Sequence, residues 1–206
     1  IKAVPPTVFV KSSAKNVSAE DRNVVVNTKR YSIYNKSPTV LKVLNRSSSG
    51  NLDITLGAPF VEAFLVSSDN DAFAVVLSNG MADIYRLSDA ADQTINIATI
   101  RVVIPEPIVS ACSASPIAER QAVALLALTA SGQVFYVSNV LESPSMRPLG
   151  NCGAQNTIFR AGRQHVAVAR AHGEANIYEY DSADGALRNA LSKPWFPHGD
   201  DACSAL

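Results

Sequence analysis

The chain has 206 residues, 47% of them hydrophobic, and its 18 basic side chains are balanced by 18 acidic ones. That length and apolar content fill the core of one large domain, and a net charge of zero leaves no field to draw the chain onto nucleic acid or an anionic membrane. No window reaches the ~18 uninterrupted apolar residues of a membrane-spanning helix, and three widely spaced cysteines (Cys112, Cys152 and Cys203) supply neither a disulfide framework nor a zinc-ligand pattern.

Short apolar runs bounded by turn residues follow one another along the chain, which predicts strands rather than helices. Residues 7–10 and 24–26 are the first two runs, an alternating stretch follows over 29–34, and residues 40–44 read as an outer strand. The stretch 50–56, Gly-Asn-Leu-Asp-Ile-Thr-Leu, comes too soon to open a new unit and reads as an extra strand or a link. The clearest unit begins with an apolar run over 60–66, a polar turn over 67–71 and a second apolar run over 73–77. A turn at Ser78-Asn79-Gly80 then leads into an alternating run over 81–87. Asn-Gly between two β-rich runs predicts a hairpin turn in which both residues take positive φ. Part of 95–104 supplies a fourth, outer strand. Pro105-Glu106-Pro107 breaks the chain before a third unit, built from runs at 108–112, 122–128, the residues after Gly132, and 146–149. A turn-rich link over 141–153 leads to a fourth unit, with runs at 157–159, 166–169, after Gly173, and at 187–191. The tail carries the single tryptophan, Trp195, inside Pro194-Trp195-Phe196-Pro197 and ends in acidic and small residues. The chain opens on Ile1 rather than Met, so a processed, trimmed or partial chain is expected.

The third strand of each unit repeats. Gly80-Met81-Ala82-Asp83-Ile84-Tyr85 is echoed by Gly173-Glu174-Ala175-Asn176-Ile177-Tyr178, by residues 132–137 and, with Lys29 in place of glycine, by residues 29–34. Units of ~40–50 residues with three or four short strands predict β-propeller blades, because one small twisted sheet cannot cover its own faces and must borrow cover from its neighbours. The second unit resembles a WD40 repeat, with Ser67-Ser68-Asp69-Asn70 as its inter-strand turn and Tyr85 where that family carries Trp. Tyr178 stands at the same place in the fourth unit, Val137 in the third and Tyr34 in the first, while Arg86 and Glu179 replace the family's Asp. The Gly-His dipeptide of that family is missing throughout, so its buried Asp–His network is not carried over. The resemblance covers roughly residues 7–190 and implies an all-β, WD40-like β-propeller. About four blades are expected, near residues 5–45, 58–104, 107–149 and 155–191, in a propeller segment over 1–191 with a tail over 192–206. Closed propellers have ~4–8 blades, and WD40-type ones lie toward the larger number. A partial propeller, completed by another segment, is therefore expected.

Residues able to do chemistry are sparse. His165, His172 and His198 lack HxH or HExxH spacing, and Ser78, Ser131 and Ser138 lie in turns without a GxSxG frame. Asp69, Asp71, Asp83, Asp89 and Asp92 lack the calcium-loop spacing and are expected to cap turns. No catalytic, cofactor-binding or metal residue is therefore assigned, and no cofactor is expected. The reading is a non-catalytic protein–protein interaction scaffold, a propeller subunit or segment of a larger intracellular assembly, cytoplasmic or nuclear. Its partners are other protein subunits; net charge does not indicate nucleic acid, and no membrane is expected. Trp195 and Phe196 are the candidate aromatic anchors. Lys29, Arg30 and Lys36, with Lys42 and Arg46 nearby, form a basic group that either meets a partner or serves as a solvated edge that discourages strand pairing. Two alternatives stay open. One is a scaffold of an RNA-processing or mRNA-decapping complex, suggested by a similarity in the link before the third unit. The other is an enzyme with its site in a propeller channel, which would need convergent carboxylates, His or metal ligands where these units offer mostly Ala, Val and Ser.

Overall fold

The computed structural model of the chain describes residues 24–90, 94–114, 124–154, 156–161, 165–170, 175–181 and 186–189. The described residues form four antiparallel sheets of four strands, each a simple meander, with no helix among them. The first sheet is β1 (Val24–Asn27), β2 (Tyr31–Ser37), β3 (Val40–Asn45) and β4 (Asn51–Thr55). The second is β5 (Phe60–Ser67), β6 (Ala72–Leu77), β7 (Met81–Asp89) and β8 (Ile95–Val103). The third is β9 (Ile108–Ala114), β10 (Ala124–Thr129), β11 (Gln133–Ser138) and β12 (Ser145–Asn151). The fourth is β13 (Asn156–Ala161), β14 (His165–Arg170), β15 (Ala175–Asp181) and β16 (Ala186–Asn189). The leading strands β1, β5, β9 and β13 stand side by side in that order, so the sheets are stacked blades whose first strands face a common axis.

Sheet-on-sheet packing explains the sequence of the central strands. β6 (AFAVVL) and β10 (ALLALT) are buried at every position, because each is covered on both faces by a neighbouring sheet. Phe73, Val75 and Leu77 point to the first sheet, against Tyr31, Ile33, Leu41 and Val43. Ala72, Ala74 and Val76 point to the third sheet, against Ile108, Leu125, Ala127 and Val137. Leu126 and Leu128 in turn meet Phe159, Val166 and Val168 of the fourth. Each fully buried Val, Leu or Phe is worth about 1.5–3 kcal/mol, so the faces between sheets hold most of the fold together. Tyr85, Val137 and the half-buried Tyr178 occupy the same position on the third strands and all face the preceding blade. Tyr85, stacked at 5.2 Å on Phe73, is expected to cost about 3–4 kcal/mol when cut to Ala and Tyr178 about half as much, a difference measurable by urea unfolding of the two variants.

Two details differ from the sequence reading. Gly80 has φ +92° but Asn79 does not join it in the left-handed region, and Gly80 N donates to Leu77 O at 3.3 Å. The connection is thus a type I turn closed by a left-handed glycine, the three-residue hairpin form, rather than a two-residue turn. Thr129–Gly132 repeats it, with Gly132 at φ +87°. The second difference lies in the first sheet. Its innermost strand is β1 at 24–27, residues 40–45 are its third strand, and the stretch read as a link supplies its outer strand β4. Tyr34 therefore sits on a second strand, not opposite Tyr85. Lys29 imitated the anchor glycine because both precede an alternating run. The run over 7–10 lies outside the described residues.

The links between blades form a repeat of their own. Residues 56–60, 104–108 and 152–156 recur at equal intervals, and Leu56, Ile104 and Cys152 bond the hairpin turns through their backbone nitrogens. Ile104 N donates to Gly80 O (2.7 Å) and Cys152 N to Gly132 O (2.8 Å). Phe60 N reaches back to Pro38 O (3.0 Å), and Ile108 N to Ser78 O (3.2 Å). The first two links thereby tie one blade's turn to the next blade's first strand.

Candidate functional site

Between the first two blades an extended polar clamp closes one end of the interface. Asp71 sits in the β5–β6 turn with its side chain 1% exposed and its backbone at φ +47°. Its carboxylate accepts from Thr28 Oγ1 (2.7 Å), Arg30 N (2.9 Å) and Arg30 Nε (2.6 Å). Burial pushes this carboxyl up, but the hydrogen bonds from Thr28 and Arg30 outweigh it and hold the pKa below the usual aspartate value. Asp89, at the end of β7, accepts from the Tyr31 hydroxyl (2.6 Å), Asn45 Nδ2 (2.9 Å) and Arg30 Nη1 (3.2 Å). Burial and the bond to Asp89 raise the Tyr31 pKa, so this phenol stays a donor. Arg46 adds bonds to the carbonyls of Thr28 and Lys29.

A second polar group lies on the other edge of the same interface. Asp83 on β7, 1% exposed, receives a two-pronged bond from Arg101 of β8, at 2.6 Å from Nε and 3.0 Å from Nη2. Tyr85 Oη donates to Asp83 Oδ2 at 3.2 Å. Burial first, then the Asp83 charge and bond, raise the Tyr85 pKa. Above them a groove of about 570 Å³ opens between the outer strands of the two blades. Asp53, Ile54 and Thr55 of β4 form one wall, Ile97, Thr99 and Arg101 of β8 the other, and Tyr85 also lines it.

On the axial side, a cavity of about 210 Å³ spans three leading strands, between Glu62 and Phe64 of β5, Ala111, Cys112 and Ser113 of β9, and Arg160 of β13. Arg160 Nη1 is 3.9 Å from Glu62 Oε2, a loose pair with both side chains partly exposed. Burial pushes the Cys112 thiol up to about 12, only partly opposed by the charge of Arg160; Cys152 is pushed up to about 12 by burial as well. Neither thiol is an activated nucleophile. Both are expected to resist Ellman's reagent in the folded chain and react together on unfolding in denaturant. Among the described residues no group of three His, Cys, Asp or Glu side chains is placed to hold a metal ion.

The residues singled out in the sequence fall in different places. Arg30 is the clamp cation, joined to two carboxylates with its side chain 45% exposed. Lys29 is exposed at the tip of the β1–β2 turn, 3.8 Å from Asp69. Lys36, on β2, pairs with Asp53 of β4 at 2.6 Å. Trp195 and Phe196 lie outside the described residues, as do Asp92, His172, His198 and Cys203. His165 is exposed on β14. Asp71, Asp83 and Asp89 are not turn caps: Arg30 of the neighbouring blade binds Asp71 and Asp89, and Arg101 of the adjacent strand binds Asp83. The leading strands carry Glu62 and Arg160 alongside the expected small residues.

Stacked four-stranded meanders with their first strands at a common axis define a β-propeller fold. No family model matches the sequence, and no curated protein matches it either. Solved structures match it well. The WD40 domain of SCAP from fission yeast aligns with a TM-score of 0.55 at 17% identity, over 85% of this chain and 42% of that one. The complex of the fission yeast SREBP–SCAP binding domains gives a TM-score of 0.60 at 16% identity, over 87% and 50%. The β-propeller domain of Cps50 (Swd1) from Myceliophteria thermophila gives 0.54 at 13% identity, over 82% and 57%. At these identities the likeness is one of fold. The chain spans 42–57% of the length of these three structures. No helix among the described residues is long and apolar enough to cross a membrane.

Proposed function

We propose that the chain is part of a WD40-type propeller that acts as a non-catalytic interaction scaffold, and that the outward face of its first sheet is covered by another polypeptide, either further blades or a partner subunit. The observation that carries this is the contrast between strands of equal rank. β7 and β11, third strands of the inner sheets, each keep four consecutive buried residues, Ala82–Tyr85 and Val134–Val137, whereas β3, the third strand of the first sheet, alternates between half-buried and buried residues from Val40 to Asn45. On the outward side Tyr34, Lys42 and Leu44 are half-buried and Val24 is 44% exposed. A blade whose sisters are sandwiched on both faces presents the same kind of surface, ready to be covered. The non-catalytic part of the reading rests on the unreactive thiols and on polar groups already spent within blade interfaces. An intracellular setting, cytoplasmic or nuclear, fits two buried thiols outside any disulfide. Light scattering at micromolar concentration tests the reading. The isolated chain is expected to self-associate, and Leu44→Glu to reduce that association. A clean monomer with a cooperative melt would show that the first sheet needs no cover.

A further inference from the structure

The four outer strands are equivalent in the fold but unequal as edges. β4 is five residues long with Asn51 and Asp53 in it, and β16 has four residues. β12 contains Pro148 and Gly150 and breaks its register beside β11. Short strands, charges, proline and bulges are the devices that stop an edge from recruiting another strand. β8 is long, unbulged and free of proline, and its one charge, Arg101, has a side chain 55% exposed. It runs nine residues, INIATIRVV, pairs with β7 along its whole length, and contains no glycine either. The Arg101 guanidinium is turned onto Asp83 by the two-pronged bond. Asn96, Ala98, Thr99 and Val103 are exposed, Val103 at 63%. Among the described residues β8 has no strand partner but β7.

The groove beside this edge gives a second, separate observation. A strand added to β8 continues the sheet outward, and its alternate side chains fall on the side where Ile97, Thr99 and Arg101 face Ile54 and Thr55 of the neighbouring blade. We propose that β8 is a docking edge for an extended, uncharged segment of a partner protein, which pairs with β8 as an added strand and places apolar or β-branched side chains into the β4–β8 groove. Backbone pairing supplies affinity and the groove selects side chains. A second copy of the chain is a poorer occupant. Two blade edges meeting along nine residues touch over a strip ~30 Å long and ~10 Å thick, roughly 300 Å² per partner, well short of the ~800 Å² per partner of a stable dimer. A slender peptide uses both the edge and the groove. The proposal names the partner's chemistry within the scaffold reading and rests on it.

The probe is a phage-displayed library of random ten-residue peptides, panned against the full chain, with the best sequence then synthesised. Selected peptides are expected to alternate apolar or β-branched residues, and the synthetic peptide to slow amide hydrogen exchange in residues 95–103. Thr99→Lys, which adds a gatekeeping charge, is expected to weaken binding at least tenfold, while Thr99→Val retains it. Thermal melts check that the variant folds, and Ala98→Lys carries the comparison if Thr99→Lys does not. Equal binding by the lysine variants, protection at another surface, or no selected peptide overturns the docking edge. A peptide-free dimer abolished by Thr99→Lys also overturns it, by assigning β8 to a second copy. The scaffold reading is decided separately, by the Leu44→Glu scattering result, so the two can fail independently.

Discussion

Replacing Asp71 by Ala is expected to lower the unfolding free energy by about 3 kcal/mol, because it strips the shared acceptor from Thr28 and Arg30 on the neighbouring blade. The figure sits at the low end for a broken buried ion pair, since the Arg30 side chain is 45% exposed and keeps part of its hydration. Asp71→Asn keeps one oxygen for Thr28 Oγ1 and the Arg30 amide and recovers part of the loss. The effect depends on pH with a definite sign. The folded carboxyl has its pKa held below that of the unfolded chain. Its contribution is therefore complete above the unfolded value of about 4 and is lost as pH falls through the folded value. Urea unfolding of wild type and Asp71→Ala across acid pH is expected to give curves that converge at the acid end. A gap independent of pH would mean that the loss comes from packing and not from the charge.

Gly132→Ala is expected to cost at least as much, about 4 kcal/mol, for two reasons that act together. Gly132 lies at φ +87°, where a side chain costs ~1–2 kcal/mol, and a Cβ there would sit 2.1 Å from the carbonyl oxygen of Gly153 and 2.3 Å from its carbon. Those atoms belong to the backbone of the link to the fourth blade, so nothing flexible can yield, and the Cys152 N to Gly132 O bond is lost as the link moves. Gly57 is the matched control: a Cβ there meets nothing within 4 Å, and Gly57→Ala is expected to change stability by less than about 0.5 kcal/mol. Thermal melts of the two variants make the comparison, and equal losses would show that glycine is merely tolerated at 132.

The strands were legible because period-two and fully apolar runs between turn residues leave little choice. Runs 60–66, 73–77 and 81–87 became β5, β6 and β7 within a residue or two. The first blade was misread by one strand. Tyr31-Ser-Ile-Tyr alternates as convincingly as Ala82-Asp-Ile-Tyr, and the glycine that marks a third strand was replaced there by Lys29. A surer marker lay in the links: Leu56 with Pro59-Phe60 and Ile104 with Pro107-Ile108 stand at matching places. Pro59 and Pro107 offer their carbonyls to Ser78 and Ala130 of the hairpin turns. The polar clamp was not legible. Arg30 and Asp71 lie on separate blades, and no local pattern says which carboxylate a distant guanidinium will meet. The axial cavity was missed for a related reason, because Glu62 and Arg160 come together only when three leading strands are set side by side.

The clusters that join the sheets run first to second, second to third and third to fourth. Cohesion in such a stack is a nearest-neighbour property. Each inner blade is held by two contacts and each outer blade, among the described residues, by one. Local opening is therefore cheapest at the two ends and dearest at β6 and β10, whatever the composition of the blades themselves. Whatever covers the first sheet would raise the opening energy of its strands most. The clamp at Asp71 and Asp89 would be the next barrier inward, so occupancy at the end of the stack can be felt as rigidity at the groove one blade away.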